Sequence, residues 1–154
     1  VSVINGQTNT VATTISVGKW SVWVGVNPTT DMIYVTNIAN NTVSVINGQT
    51  NTVATTISVG EGPQGIVVDP TTDMIYVTNT GGNNVSVING QTNTVEATIS
   101  VGNYPDGIGV NPITDMIYVA NLKDKTISVI NGQTNTVVQT ISLENPPLRI
   151  GVLY

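Results

Sequence analysis

Hydrophobic positions in this chain fall in short runs of β-branched residues that alternate with Thr, Ser and Asn, and each run is cut off by a cluster of Asn, Asp, Gly or Pro. The runs Gly65 to Val68, Met74 to Thr78, Val85 to Ile88 and Val95 to Val101 show the pattern most clearly. Successive side chains of a strand point to opposite faces, so alternation of this kind predicts half-buried β-strands. No segment places apolar residues at the 3.6-residue spacing of a helix. The four runs are predicted strands A, B, C and D. Between A and B stands Asp69-Pro-Thr-Thr-Asp73, where an Asp side chain can bond its own backbone and Pro presets φ. Between C and D stands Asn89-Gly-Gln-Thr-Asn93, whose opening Asn-Gly is a strong hairpin signal and predicts a tight turn.

The four-strand unit recurs. Residues 1–18 reappear letter for letter at 43–60 and with small changes at 85–102 and 127–144, a period of 42 residues. Asp31-Met-Ile-Tyr-Val35, Asp73-Met-Ile-Tyr-Val77 and Asp115-Met-Ile-Tyr-Val119 keep the same period. Four antiparallel strands in a unit of this length describe a β-propeller blade, with a generic β-solenoid as the alternative. Strand A, predicted innermost, carries Gly25, Gly109 and Gly151, with Val67 in the remaining copy, flanked by Val24, Ile66, Ile108 and Ile150; small residues there let backbones approach. The expected layout is all-β: strands C and D at 1–18, blades at 19–60, 61–102 and 103–144, and a lone strand A at 145–154. Tyr154 stands where Pro28, Pro70 and Pro112 open the A–B turn. The expectation is therefore a propeller fragment of a longer repetitive chain, or a protomer whose ring other copies complete, with a cramped four-bladed monomer as the third option. Unpaired strand edges otherwise invite aggregation.

Composition narrows the partners. Net charge is −5 with only four basic residues, which gives no electrostatic footprint for nucleic acid and repulsion from an anionic membrane. Gly, Asn, Thr or Ser interrupts every apolar run well short of the roughly 20 residues needed to span a bilayer as a helix. The absence of Cys excludes disulfides and does not choose a compartment. Without His or Cys, Ser-His-Asp and Cys-His catalysis, His-metal sites and thiolate chemistry are excluded. No phosphate loop is present, since the glycines lie in turns with no helix after them.

The motifs Tyr34-Val-Thr-Asn37 and Tyr76-Val-Thr-Asn79, with Tyr118-Val-Ala-Asn121 departing by one letter, accompany the VSVINGQTNTV segments and the Gly-x-x-Pro turns Gly60 to Pro63 and Gly102 to Pro105. Together they resemble the YVTN-type β-propeller repeat, over the whole chain. The resemblance implies a propeller, commonly seven-bladed, of the kind found in surface-layer and cell-surface proteins, exported and acting through its surfaces. Related propellers include enzymes of lactonase or lyase type, but the lack of His and the near-identical blades argue against catalysis here. The expectation is a non-enzymatic extracellular or cell-surface scaffold for structure, adhesion or interaction. The alternatives are a propeller enzyme and a designed or recently amplified repeat with no ligand.

Chain reversal places the A–B and C–D turns on one face and the B–C and D–A loops on the other. The turn face is nearly uniform between copies and the loop face varies. The variable face holds the predicted partner-binding residues Lys19, Trp20, Trp23, Glu61, Gln64, Asn103, Tyr104, Asp106, Lys123, Lys125 and Arg149, among them all four basic residues and both tryptophans. Loops on a rigid scaffold commonly carry binding residues, and aromatics and Arg are enriched at hot spots, so a protein or glycan is expected here. The alternative is that the loops drift and the tryptophans only cover the channel mouth. No cofactor and no metal are expected. Asp31, Asp73 and Asp115 are predicted turn residues, and a calcium site at Asp69 and Asp73, which flank one turn, is the weaker option. The sequons Asn40-Asn-Thr42 and Asn84-Val-Ser86 do not follow the period and matter only on export.

Overall fold

Apart from the C-terminal one, each predicted run forms a strand in the computed structural model, which describes residues 1–153. An N-terminal pair, β1 (Ser2–Asn5) and β2 (Thr10–Thr14), precedes three blades. The first blade is β3 (Ser21–Asn27), β4 (Met32–Asn37), β5 (Thr42–Asn47) and β6 (Thr52–Ser58). The second is β7 (Pro63–Asp69), β8 (Met74–Asn79), β9 (Asn84–Asn89) and β10 (Thr94–Ser100). The third is β11 (Pro105–Asn111), β12 (Met116–Asn121), β13 (Thr126–Asn131) and β14 (Thr136–Ser142). In each blade the strands pair antiparallel in chain order, and a single 3₁₀ turn at Ile38–Asn40 is the one helical element among the described residues. This is propeller architecture, not a solenoid: sheets of consecutive strands stack face to face, with β3, β7 and β11 adjoining at the inner edge.

The core lies between blades. Tyr34, Val43, Val45 and Ile57 of the first blade pack on Ile66, Val68, Ile75, Val77 and Ile88 of the second. The next junction repeats this with Tyr76, Val85, Val87 and Ile99 against Val110, Ile117, Val119 and Ile130. Val1, Val3 and Ile15 of the N-terminal pair cover Val35 and Ile46 of the first blade in the same way. Burying one Val or Ile side chain contributes about 1.5–3 kcal/mol, so each junction is a hydrophobic seam that one blade cannot form alone. Strand D is the outer edge and is mostly exposed. In each C–D pair its register shifts by one residue, at Ala12, Ala54, Glu96 and Val138. Such bulges twist an edge away from further pairing.

Polar staples complete the blades. Asn79, wholly buried at the end of β8, donates through Nδ2 to Asn84 Oδ1 at 2.7 Å and Ser86 Oγ at 2.9 Å. Asn37 and Asn121 make the matching bonds to Thr42 and Ser44, and to Thr126 and Ser128. A Cβ on Gly60 would lie 2.6 Å from the Asn79 amide, so a glycine is required where the chain leaves strand D. The preceding Thr works between blades: Thr36 Oγ1 donates to the Gln64 carbonyl at 2.9 Å and Thr78 Oγ1 to the Asp106 carbonyl at 2.8 Å.

The C–D connection is the expected hairpin over the Asn-Gly-Gln-Thr-Asn segment, and its side chains show how it closes. Asn47 Oδ1 accepts from the N–H groups of Gln49 and Thr50, the Asn51 N–H closes on the Asn47 carbonyl at 2.8 Å, and the left-handed residue is Asn51 with φ 55°. The four residues between paired Asn47 and Thr52 are capped by a side chain, the Asn carboxamide substituting for backbone partners. Residues 145–153 do not form the lone strand A, since no neighbouring backbone gives them a ladder; they still run along β11, where the space beside Gly109 is bounded by Ile150 and Val152. The expectation for Tyr154 lies outside the described residues.

The Tyr34 hydroxyl is buried without a hydrogen-bond partner. Burial, and then the charge of Asp73, push its pKa up to about 12 from 10.0. Because the folded pKa exceeds the unfolded one, this group's contribution is complete below pH 10 and is lost as pH rises toward about 12. Spectrophotometric titration is expected to show Tyr34→Phe removing phenolate absorbance only from the most alkaline part of the curve. Loss of an earlier-titrating group would contradict the burial assigned to Tyr34.

Candidate functional site

On the variable face the backbone turns left-handed at two repeat positions, one held by Asn41, Asn83 and Lys125 in the B–C loops and the other in the D–A loops. Trp20, Gly62, Tyr104 and Pro146 occupy this second position, and φ is +55° at Trp20, +66° at Gly62 and +57° at Tyr104. Glycine adopts this left-handed conformation freely, whereas a bulky aromatic there is strained by about 1 kcal/mol or more. Trp20 is 75% exposed, so burial does not offset the strain. The Tyr104 ring lies 4.8 Å below the Lys123 ammonium, a cation–π contact.

The loops are held by their neighbours. Asn41 Oδ1 accepts from the Gly62 N–H at 2.9 Å and Asn83 Oδ1 from the Tyr104 N–H at 3.0 Å. At the next copy both partners change together: Lys125 replaces the acceptor and Pro146 has no N–H to donate. Asn103 donates to Asp124 through its backbone at 2.7 Å and through Nδ2 at 2.8 Å, and these bonds hold the Asp124 carboxyl below the usual carboxylate range. The Lys19 N–H is fixed by Asn40 Oδ1 at 2.7 Å.

Three predicted site residues lie inside strands rather than in D–A loops: Trp23 in β3, Gln64 in β7 and Asp106 in β11, because the inner strands begin earlier than the alternation suggested. The Arg149 guanidinium lies 4.3 Å over the Trp23 ring, which joins the segment after β14 to the first blade. Asp106 stands near Arg149; burial raises its pKa and the Arg charge opposes that rise. Gln64 and Asp106 serve the scaffold through the carbonyls that accept from Thr36 and Thr78. The Glu61 carbonyl accepts from the Gly81 N–H, and that of Lys125 from the Leu143 N–H. The structure thus gathers Lys123 with Tyr104, and Trp23 with Arg149 and Asp106, while Trp20 projects alone. Asn40, Asn41, Asn83 and Asp124 were missed; their signal was Asn or Asp at the ends of B–C loops.

On the turn face, Asp31, Asp73 and Asp115 take left-handed φ of 53–58° at the start of strand B, as turn residues do. The proposed Asp69–Asp73 pairing is not what forms. Asp73 Oδ1 accepts from Asn27 Nδ2 at 2.7 Å across the first junction, while Asp69 acts on Asp115 of the following blade. Burial first, and then the like charge of Asp69, hold the Asp115 carboxyl above its usual range.

No protein-family model matches the sequence, and no curated protein matches it. Its fold has solved counterparts. A chain of hydrazine synthase from Kuenenia stuttgartiensis superposes with a TM-score of 0.81 at 22% identity, covering 88% of this chain and 40% of that one. Apo AztD from Citrobacter koseri gives 0.64 at 16% identity, covering 77% of this chain and 33% of that one. The chain therefore spans less than half of either protein, and likeness at this identity establishes the propeller fold alone.

Proposed function

We propose that the chain is a non-catalytic interaction module of the cell exterior, a propeller that presents aromatic and cationic loops to an acidic glycan. The observation that carries this is the left-handed backbone at Trp20 and Tyr104, where the equivalent blade uses Gly62. Strain kept at an exposed aromatic points to a role outside the fold. Lys19, Lys123, Lys125 and Arg149 on the same face supply the only positive charge in a chain of net charge −5. The Tyr-Val-Thr-Asn repeats, which resemble those of surface proteins, support the exterior location. Val24 and Val26 of the first inner strand are 48% and 55% exposed, whereas Ile66, matching Val24, and Val68 and Val110, matching Val26, are buried, and Val22 beside them is 48% exposed. Further blades, from another copy or from adjoining repeats, are the natural cover for that stripe.

Trp20→Gly separates function from folding. The variant is expected to gain about 1 kcal/mol of stability by relieving the left-handed strain. Retention on immobilised acidic polysaccharides is expected to fall by about 30-fold, the weight of one aromatic anchor. Full retention by Trp20→Gly, or a wild-type chain that no glycan retains, overturns the proposal.

A further inference from the structure

Asp69 breaks the repeat on the nearly uniform turn face, for its position holds Asn27 in the first blade and Asn111 in the third. Between the first two blades, Asn27 Nδ2 donates to Asp73 Oδ1, from the end of β3 to the start of β8. One repeat further on, the same placement sets Asp69 against Asp115, and a carboxylate oxygen stands where the donor was. Asp69 is wholly buried. Its Oδ1 accepts from the Thr71 N–H at 2.8 Å, and its Oδ2 has no partner. Asp115 Oδ1 is buried and equally unpartnered. So is the hydroxyl of Tyr76, a fully buried residue on which both carboxylates act.

Three buried oxygens without a hydrogen-bond partner thus belong to one blade junction, where the Tyr76 hydroxyl is the one donor among them and no protein cation balances the carboxylates, all four basic residues belonging to the opposite face. An unbalanced pair of carboxylates is costly to bury. Oxygen-only, anionic surroundings are what a hard cation takes, and calcium tolerates irregular geometry and completes its shell with carbonyl oxygen or water. We propose that Asp69, Asp115 and the Tyr76 hydroxyl hold one divalent cation of the calcium class, which clamps the second blade to the third. The neighbouring Asn27–Asp73 bond is the metal-free version of the same joint.

That neighbour supplies the test, since Asp69→Asn rebuilds an arrangement the fold already contains. Titrating calcium chloride into chelator-treated wild-type chain is expected to give about one calcium per chain and to raise Tm by about 5–10 °C at saturation. Asp69→Asn is expected to weaken calcium binding by at least about 100-fold and to melt at a temperature independent of calcium. Asn27→Asp is expected to install a second site and lift the stoichiometry to about two. Absence of binding by the wild type at millimolar calcium, or undiminished binding by Asp69→Asn, overturns the proposal. A wild type that ignores calcium yet gains stability in acid, with that gain absent in Asp69→Asn, assigns a shared proton to the pair and overturns it too.

Discussion

Asn79→Asp is expected to destabilise the fold by about 4 kcal/mol at pH 7, although it exchanges one NH₂ for one oxygen. Both Nδ2 protons of Asn79 are used, on Asn84 Oδ1 and Ser86 Oγ, inside a site with no exposure. A carboxylate oxygen in that place faces the Asn84 acceptor and leaves a buried charge uncompensated, the situation that makes single-partner replacements severe. Protonation restores a neutral group with one donor, so the folded-state pKa of the new Asp rises above the unfolded value of about 3.9. Its stability contribution is then complete below the unfolded pKa and lost as pH rises through the folded one. Urea midpoints at pH 7 and pH 4 check this: the gap between variant and wild type is expected to narrow in acid. A gap under about 1 kcal/mol at both pH values would show that Asn79 does not staple the blade.

This staple gives the Tyr-Val-Thr-Asn motif a residue-by-residue meaning. Tyr34 and Tyr76 fill the seams between blades, Val35 and Val77 pack on the opposite face, Thr36 and Thr78 bond the next inner strand, and the Asn locks strands B and C. Ala120 in the third copy gives up the between-blade bond and also the bond to its own inner strand that Thr36 accepts from the Trp23 N–H and Thr78 donates to the Gly65 carbonyl. The period, the strand count and the two faces were legible because all follow from short-range alternation and exact repetition. Roles within the motif were not, because burial of the Thr and Asn depends on the neighbouring blade rather than on local pattern.

The same distinction governs the sites. Asp69 and Asp73 looked like partners because they flank one turn, yet their partners lie 46 residues away in the adjoining blades, as the Asn27–Asp73 bond measures. A left-handed backbone leaves no mark in a single copy of the repeat. Aligning Trp20 and Tyr104 with Gly62 makes the expectation visible, since glycine most often holds such a position. The loop hydrogen bonds leave a paired mark as well: Lys125 and Pro146 depart from the pattern together because neither half of the bond is useful alone.

Ile88→Ala is expected to lower stability by about 3–4 kcal/mol, while Val95→Ala, directly opposite it in the sheet, lowers it by under about 1 kcal/mol. The two residues are register partners on β9 and β10. Ile88 is fully enclosed in the seam between the first and second blades, whereas Val95 is 36% exposed on the bulged outer strand. Truncating Ile88 removes buried methyl groups and leaves a cavity that two rigid sheets cannot collapse, so a transfer loss and a cavity loss add. Truncating Val95 leaves a space that water already reaches. For a chain of 154 residues the first change corresponds to a fall in Tm of about 6–16 °C and the second to about 4 °C or less. Equal losses at the two positions would mean that the blades are held by pairing within each sheet. The predicted contrast places the stability of the propeller in the seams between sheets, which is also where the carboxylates of Asp69 and Asp115 meet.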